Sequence, residues 1–411
     1  MILRRFFILL FGMGFGIKFN IVGEISISEL FLLVYAFVFL PRTNLFKNYP
    51  VLYKITLLYA GLLISQVFSE IAVDNEFNNT ARRLMLTGMS YLHFLFLFSF
   101  FVKDRKCILF AVAGIVLSVI VAGPQYDDSL ETSLEGSDVT YFKFYLEPII
   151  KGTVMILSVL ILQKRMVAIG LIAIGVLFII LGARSAGLTL VLSSMIGFFI
   201  LMGKTINTRQ LVTILVLTGV IGYGLYVVYV NQVLSGQITS GNNTQILLLR
   251  NPYNPVNLLF AGRTETLIGW QAFMDEPIFG HGAWARDVSG KYQSLFSDFR
   301  NDQKVTIVMS KGSIPAHSIL VGAGTSNGIF AFLFMFAILL FFVKTGFKAI
   351  DKRDPYLFIV ISYILAILWD FLFAPSTLFR LRIPLYFATI LASYFINKQF
   401  YETKKQNQIV N

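Results

Sequence analysis

Twelve apolar runs dominate this sequence, at residues 6–22, 25–41, 51–71, 84–102, 107–123, 147–162, 166–182, 185–202, 211–230, 318–343, 356–373 and 377–396. A helix needs roughly 20 apolar residues to cross the hydrocarbon core of a bilayer. In lipid, only helices and closed barrels satisfy their own backbone groups. These runs are continuous rather than alternating, so they predict an all-α integral membrane protein with about twelve transmembrane helices. Composition supports this, with 56% hydrophobic and 14% charged residues against about 25% charged in a soluble domain. The opening MILRRFFILLFGMGFGI has the basic and apolar regions of a signal peptide but no small-residue cleavage site, and reads as the first span.

Charge placement orients the spans. With both termini cytoplasmic, the inner side receives 19 of the 34 basic residues, among them Arg4, Arg5, Lys103, Arg105, Lys106, Lys352 and Arg353. Only Asp104, Asp351, Asp354 and Glu402 join them, leaving net charges of +15 inside and −3 outside. This is the positive-inside rule loop by loop, expected of a bacterial inner-membrane protein. The overall charge of +12 is thus topology information and gives no reason to expect a nucleic-acid partner. The lone Cys107 makes no internal disulfide, and no Cys/His spacing suggests a metal site.

Two outer segments interrupt the rhythm of short connections. Gly123–Leu146 carries Asp127, Asp128, Glu131, Glu135 and Asp138, as a solvated outer loop would. The chain therefore divides into membrane helices over 1–230, a large periplasmic loop over 231–317, and membrane helices with a cytoplasmic tail over 318–411. So long a connection has to fold or carry function. Inside it, TETLIGWQAFMDE reads as a helix on or near the membrane surface, closed by Pro277, and PIFGHG follows as a turn.

Residues that hydrocarbon penalises collect on the outer face. Arg184 sits in LGARSAG, in the tight turn between the seventh and eighth spans. It either snorkels to the interface or enters a polar cavity. Arg263 precedes the loop helix, where an ordinary surface ion pair is the plain alternative. His317 opens the tenth span in IPAHSILVGAG, where it is either a helix-entry residue or a proton acceptor. Arg82, Arg83, Arg380 and Arg382 stand at outer ends of spans, with snorkelling the simpler reading for each. His281 in the turn has a structural reading, and His93, inside an aromatic run, reads as a bundle residue.

Taken in order, ARSAG, GRTETLIGW, PIFGHG and AHSILVGAGTSNGIF resemble the O-antigen polymerase and O-antigen ligase family over roughly residues 182–340. Two features depart from its pattern. Ligases usually carry Asn where this chain has Ser318, and no carboxylate occupies Val321–Thr325 before the Gly pair.

The resemblance implies a GT-C-like fold and an inverting, metal-independent, cofactor-free glycosyltransferase at the outer leaflet. Its donor would be an undecaprenyl-pyrophosphate-linked oligosaccharide in the membrane lipid. Its acceptor would be another glycan, for an O-antigen or capsule polymerase, or lipid A core, for a ligase. A chain-length regulator protein is a further implied partner. Arg184 and Arg263 would stabilise the pyrophosphate leaving group, since a guanidinium fork bonds phosphate bidentately and stays charged. His317 would take the acceptor proton, imidazole being suited to this near neutral pH. Arg380, Arg382, Arg82, Arg83, Trp270, His281 and Ser318 would be secondary substrate contacts. A flippase or exporter of lipid-linked glycan is the alternative from another class, although its polar residues should line a whole path and here they gather at one face. A structural scaffold gives the loop motifs no reason to share a side.

Overall fold

The computed structural model describes the chain except residues 21–23, 124–140, 204–207, 238–245, 248–250, 255–256, 258–262, 301–311, 313 and 411. Helices occupy every apolar run. Helix α1 (Ile2–Met13) is followed by strands β1 (Lys18–Asn20) and β2 (Glu24–Ser26), and then by α2 (Ile27–Val34) with a π turn to Phe39. Next come α3 (Val51–Ala72), α4 (Phe77–Phe101), α5 (Cys107–Ala122), α6 (Glu147–Leu160), α7 (Lys164–Ile180), α8 (Arg184–Leu201) and α9 (Thr208–Leu234). In the long connection after α9 lie α10 (Thr264–Asp275) and α11 (Lys291–Arg300), and the chain ends with α12 (Ile319–Ala349), α13 (Leu357–Phe373), α14 (Thr377–Leu381) and α15 (Ile383–Val410). Helices α3, α4, α8 and α12 are long and apolar enough to cross a membrane, and α5 and α13 are shorter apolar helices. The protein is an all-α membrane protein.

Two expectations need correction. The first run does not stay helical to residue 22: Gly12, Gly14 and Gly16 weaken the helix, and Lys18–Asn20 pairs antiparallel with Glu24–Ser26 instead. The tenth run is not one straight span either. Asn327 and Gly328 leave helical geometry inside α12, Gly328 with φ of 72°. The predicted loop helix, by contrast, is present over Thr264–Asp275.

At the centre lies α4, whose Phe94, Phe96, Phe98 and Phe101 are fully buried. Next to it, Phe342 of α12 stacks on Phe387 of α15 with ring centroids 3.6 Å apart. Lipid supplies no hydrophobic drive between helices, so close backbone approach matters. Gly175 and Gly187 provide it between α7 and α8, where a Cβ on Gly187 would overlap the Gly175 carbonyl. Charged groups at helix ends are paired: Arg5 donates to Asp104 at 2.7 Å, and Arg105 bonds Asp354 and, at 2.9 Å, Ser393.

Sidedness is open to direct labelling, although native Cys107 is fully buried and its silence would report nothing. In a Cys107→Ala background, Lys106→Cys should escape an impermeant maleimide in intact spheroplasts, whereas Ser294→Cys should label. Both positions are exposed. The reverse pattern would invert the topology.

Candidate functional site

The tight turn expected at LGARSAG places Arg184 at the first position of α8, after Gly182 with φ of 92° and Ala183. Its guanidinium donates to the Tyr229 hydroxyl on α9 and lies over that ring, 4.7 Å from the centroid. Arg184 is thus held by a side chain of α9.

Arg263 immediately precedes α10 and reaches the C-terminal end of α13. There Nη1 donates to the Phe373 carbonyl at 3.1 Å, and the guanidinium faces the rings of Trp369 at 5.4 Å and Phe373 at 5.7 Å. Burial lowers its pKa, opposed by the charges of Glu265 and Asp370.

Two hydrogen bonds bring the His317 segment to Arg263. The Thr266 N–H donates to the Arg263 carbonyl at 3.0 Å, and the Thr266 hydroxyl donates to the His317 carbonyl at 3.1 Å. From the other side, the Ser318 hydroxyl donates to the Phe371 carbonyl at 2.9 Å, two residues from the carbonyl that Arg263 uses. Arg263 and half-buried His317 are thus tied to each other and to the same helix end. Ser318 is itself fully buried and accepts from the Val321 N–H at 3.0 Å, capping α12.

Lys143 joins this group, although the sequence reading passed over it. It lies in the π turn Phe142–Leu146 that leads into α6. Burial lowers its pKa, and Arg263 and Arg184 push the same way, against Glu147 and Glu265. Its side chain is nevertheless exposed. A signal was available: a lone Lys in an outer segment whose other charges are acidic runs against the local trend. Asp370 was missed as well. An acid within an apolar span is a functional candidate by default, and this one sits within Coulombic reach of Arg382, Lys151, Glu147 and Arg263. Lys143, Arg184 and Arg263 with Glu265 form a group of net positive charge. The group containing Lys151, Arg382, Glu147 and Asp370 is balanced.

The secondary candidates separate. Arg382 is exposed, faces Tyr386, Glu147 and Asp370, and its side chain has no hydrogen bond or ion pair among the described residues. Arg380 points elsewhere: it is paired with buried Glu29 and donates to the Glu24 carbonyl at 2.6 Å. Glu29 also closes the capping box of α2. Removing one partner of a buried pair costs about 3–5 kcal/mol. Arg380→Ala should therefore lower the unfolding temperature and membrane abundance, whereas Arg382→Ala should leave both unchanged and lower turnover. Thermal unfolding in detergent and a transfer assay distinguish them, and a stability loss confined to Arg382→Ala would reverse the assignment.

Arg82 is exposed, whereas Arg83 is buried and donates through Nε to Asn327 at 3.0 Å. Asn327 in turn donates to Glu70 at 2.6 Å, and Glu70 accepts from the Ala283 N–H at 3.0 Å. PIFGHG docks into this polar hub. The N–H groups of His281 and Gly282 donate to the Thr325 and Ser326 carbonyls at 2.9 and 2.8 Å, which the break in α12 has released from helical bonding. A Cβ on Gly328 would overlap the Ile278 carbonyl. His281 bonds the Ala272 carbonyl at 2.8 Å through Nε2, bracing the end of α10. The turn motif therefore fastens the loop to α3 and α12. Trp270 lies half-exposed on α10, its ring against Phe273 and Phe332. His93 is fully buried between Phe11 and Phe15, far along α4 from this group.

Among the described residues, no cluster of three His, Cys, Asp or Glu side chains is placed to hold a metal ion. What the site offers chemically is a set of fixed cations beside a histidine-bearing segment. No protein-family model matches the chain and no curated protein matches it significantly, so a functional assignment rests on the geometry of this site.

Proposed function

We propose that the protein is an outer-leaflet glycosyltransferase that polymerises undecaprenyl-pyrophosphate-linked oligosaccharide repeat units, as an O-antigen or capsule polymerase does. The observation that carries this reading is the convergence of Lys143, Arg184 and Arg263 beside the His317 segment. A leaving pyrophosphate develops negative charge, and preorganised cations stabilise it most where water is scarce. Arg184 and Arg263 offer forks of N–H donors, and Lys143 adds a point charge. His317 accepts the proton of the attacking hydroxyl as it closes on the anomeric carbon, while the pyrophosphate departs from the opposite face with inversion. The loop is periplasmic and the membrane is the bacterial inner membrane in this scheme.

Ligation to lipid A core uses the same chemistry with a different acceptor. The residue that departs from the ligase pattern, Ser318, caps a helix, a role Asn fills equally well. Its identity therefore says nothing about the acceptor. The test supplies purified protein with a single lipid-linked repeat unit and no other acceptor. A ladder of longer lipid-linked chains supports polymerisation. Product formed only after lipid A core is added replaces it with ligation, and transfer in neither case overturns the enzymatic reading in favour of transport.

A further inference from the structure

We infer that α10 is embedded along one edge in the outer leaflet, with Trp270, Met274 and the adjoining Ile278 and Phe279 inserted among phospholipid acyl chains. The inference is independent of the chemistry proposed above. Successive helical residues are rotated by about 100°, which divides the outward arc of α10 into two lanes. Trp270 and Met274 form one, 45% and 56% exposed. Gln271 and Asp275 form the other, joined by a 3.1 Å hydrogen bond.

Each lane continues into different surroundings. On the polar side, Asp275 accepts from Lys291 and Tyr292 of α11, both at 2.7 Å. That is the part of the loop facing water. On the apolar side, Trp270 meets Phe332 with centroids 6.1 Å apart, and Phe273 stacks on the same ring at 5.3 Å. Phe332 lies one turn beyond the break in α12, inside an apolar helix whose Phe330, Leu333 and Phe336 are exposed. Trp270 is thus continuous with the face that α12 turns to lipid. Ile278 and Phe279 extend the ridge, exposed although Phe279 is held through its carbonyl by Ser69 at the end of α3. An apolar surface of this kind in water would be an aggregation liability, whereas Trp and neighbouring apolar residues are at home at the membrane interface. The first two turns of α10 carry no Lys or Arg, so acyl contact rather than attraction to anionic headgroups holds the edge in place.

Tryptophan emission tests this, because the chain has only Trp270, Trp284 and Trp369. A Trp284→Phe, Trp369→Phe protein is reconstituted in vesicles whose phospholipids are brominated either just below the headgroup or near the chain end. Shallow bromine should remove most of the Trp270 emission and deep bromine less, while aqueous iodide should spare it. As a second readout, spin labels are placed at Met274→Cys and Gln271→Cys in a Cys107→Ala background. The first should relax with lipid-soluble oxygen, the second with an aqueous nickel complex. Quenching by iodide but not by brominated lipid, or equal water access for both labels, would overturn the insertion. Shielding that arises only when undecaprenyl phosphate is added would overturn it too, assigning the ridge to the substrate's tail.

Discussion

His317→Ala lowers turnover by about 10²–10⁴-fold, the usual range for loss of a general base, and leaves donor affinity nearly unchanged. Its neighbours make the experiment interpretable. Thr266 bonds the His317 carbonyl, and the cap of α12 belongs to Ser318. Removing the imidazole leaves these two bonds in place, and measuring abundance beside turnover separates a loss of chemistry from a loss of fold. His317→Gln separates base from brace: it can hydrogen-bond but cannot carry a proton away, so it should be nearly as inactive as Ala. A Gln variant close to wild type would show that the side chain orients the acceptor and that another group takes the proton. Acid that protonates the imidazole should also depress the wild-type rate, because imidazolium cannot accept. A rate indifferent to such acidification would remove the base role.

The second large effect falls on the arginines. Arg184→Lys and Arg263→Lys keep the charge, yet each should lower turnover by about 10²-fold, the scale for losing one preorganised donor to a developing anion. For Arg263 the reason is visible in its contacts. One nitrogen is committed to the Phe373 carbonyl, and the flat guanidinium lies against Trp369 and Phe373 while other N–H groups remain for phosphate. An ammonium has neither the fork nor the flat face. Arg184→Lys similarly loses the stacking on Tyr229. Full activity of either Lys variant at normal abundance would demote that residue to a surface charge. Donor binding measured beside turnover shows whether the loss is specific to the transition state.

How far the sequence disclosed this arrangement depended on the range of the forces involved. The helix at Thr264–Asp275 was legible because its caps and periodicity are local, as was the tight turn before Arg184. The site triad was approached through motif order, which named Arg184, Arg263 and His317 but could not say that Thr266 joins the last two. Lys143 escaped because its significance comes from Arg184 and Arg263, both distant in sequence. Arg380 and Arg382 looked equivalent at two residues' separation, yet one turns to Glu29 and the other to Glu147 and Asp370. The break in α12 was hidden for a related reason. An Asn-Gly pair inside an apolar run is tolerable in a continuous helix, and here it opens because PIFGHG and Glu70 supply the bonds that helical pairing would otherwise provide.

The Glu70 hub also bears on how the protein is made. Glu70 and Arg83 are synthesised some 200 or more residues ahead of Ala283 and Asn327, the groups that later bond them. A ribosome delivering the chain from its N-terminus thus commits an acid and a base to the α3–α4 hairpin, where Glu70 is held by Asn75 and, at 3.4 Å, by Thr80, beside the charge of Arg83. The hub closes only once translation has passed Asn327. A chain halted earlier lacks the bonds from Ala283 and Asn327 that complete the hub.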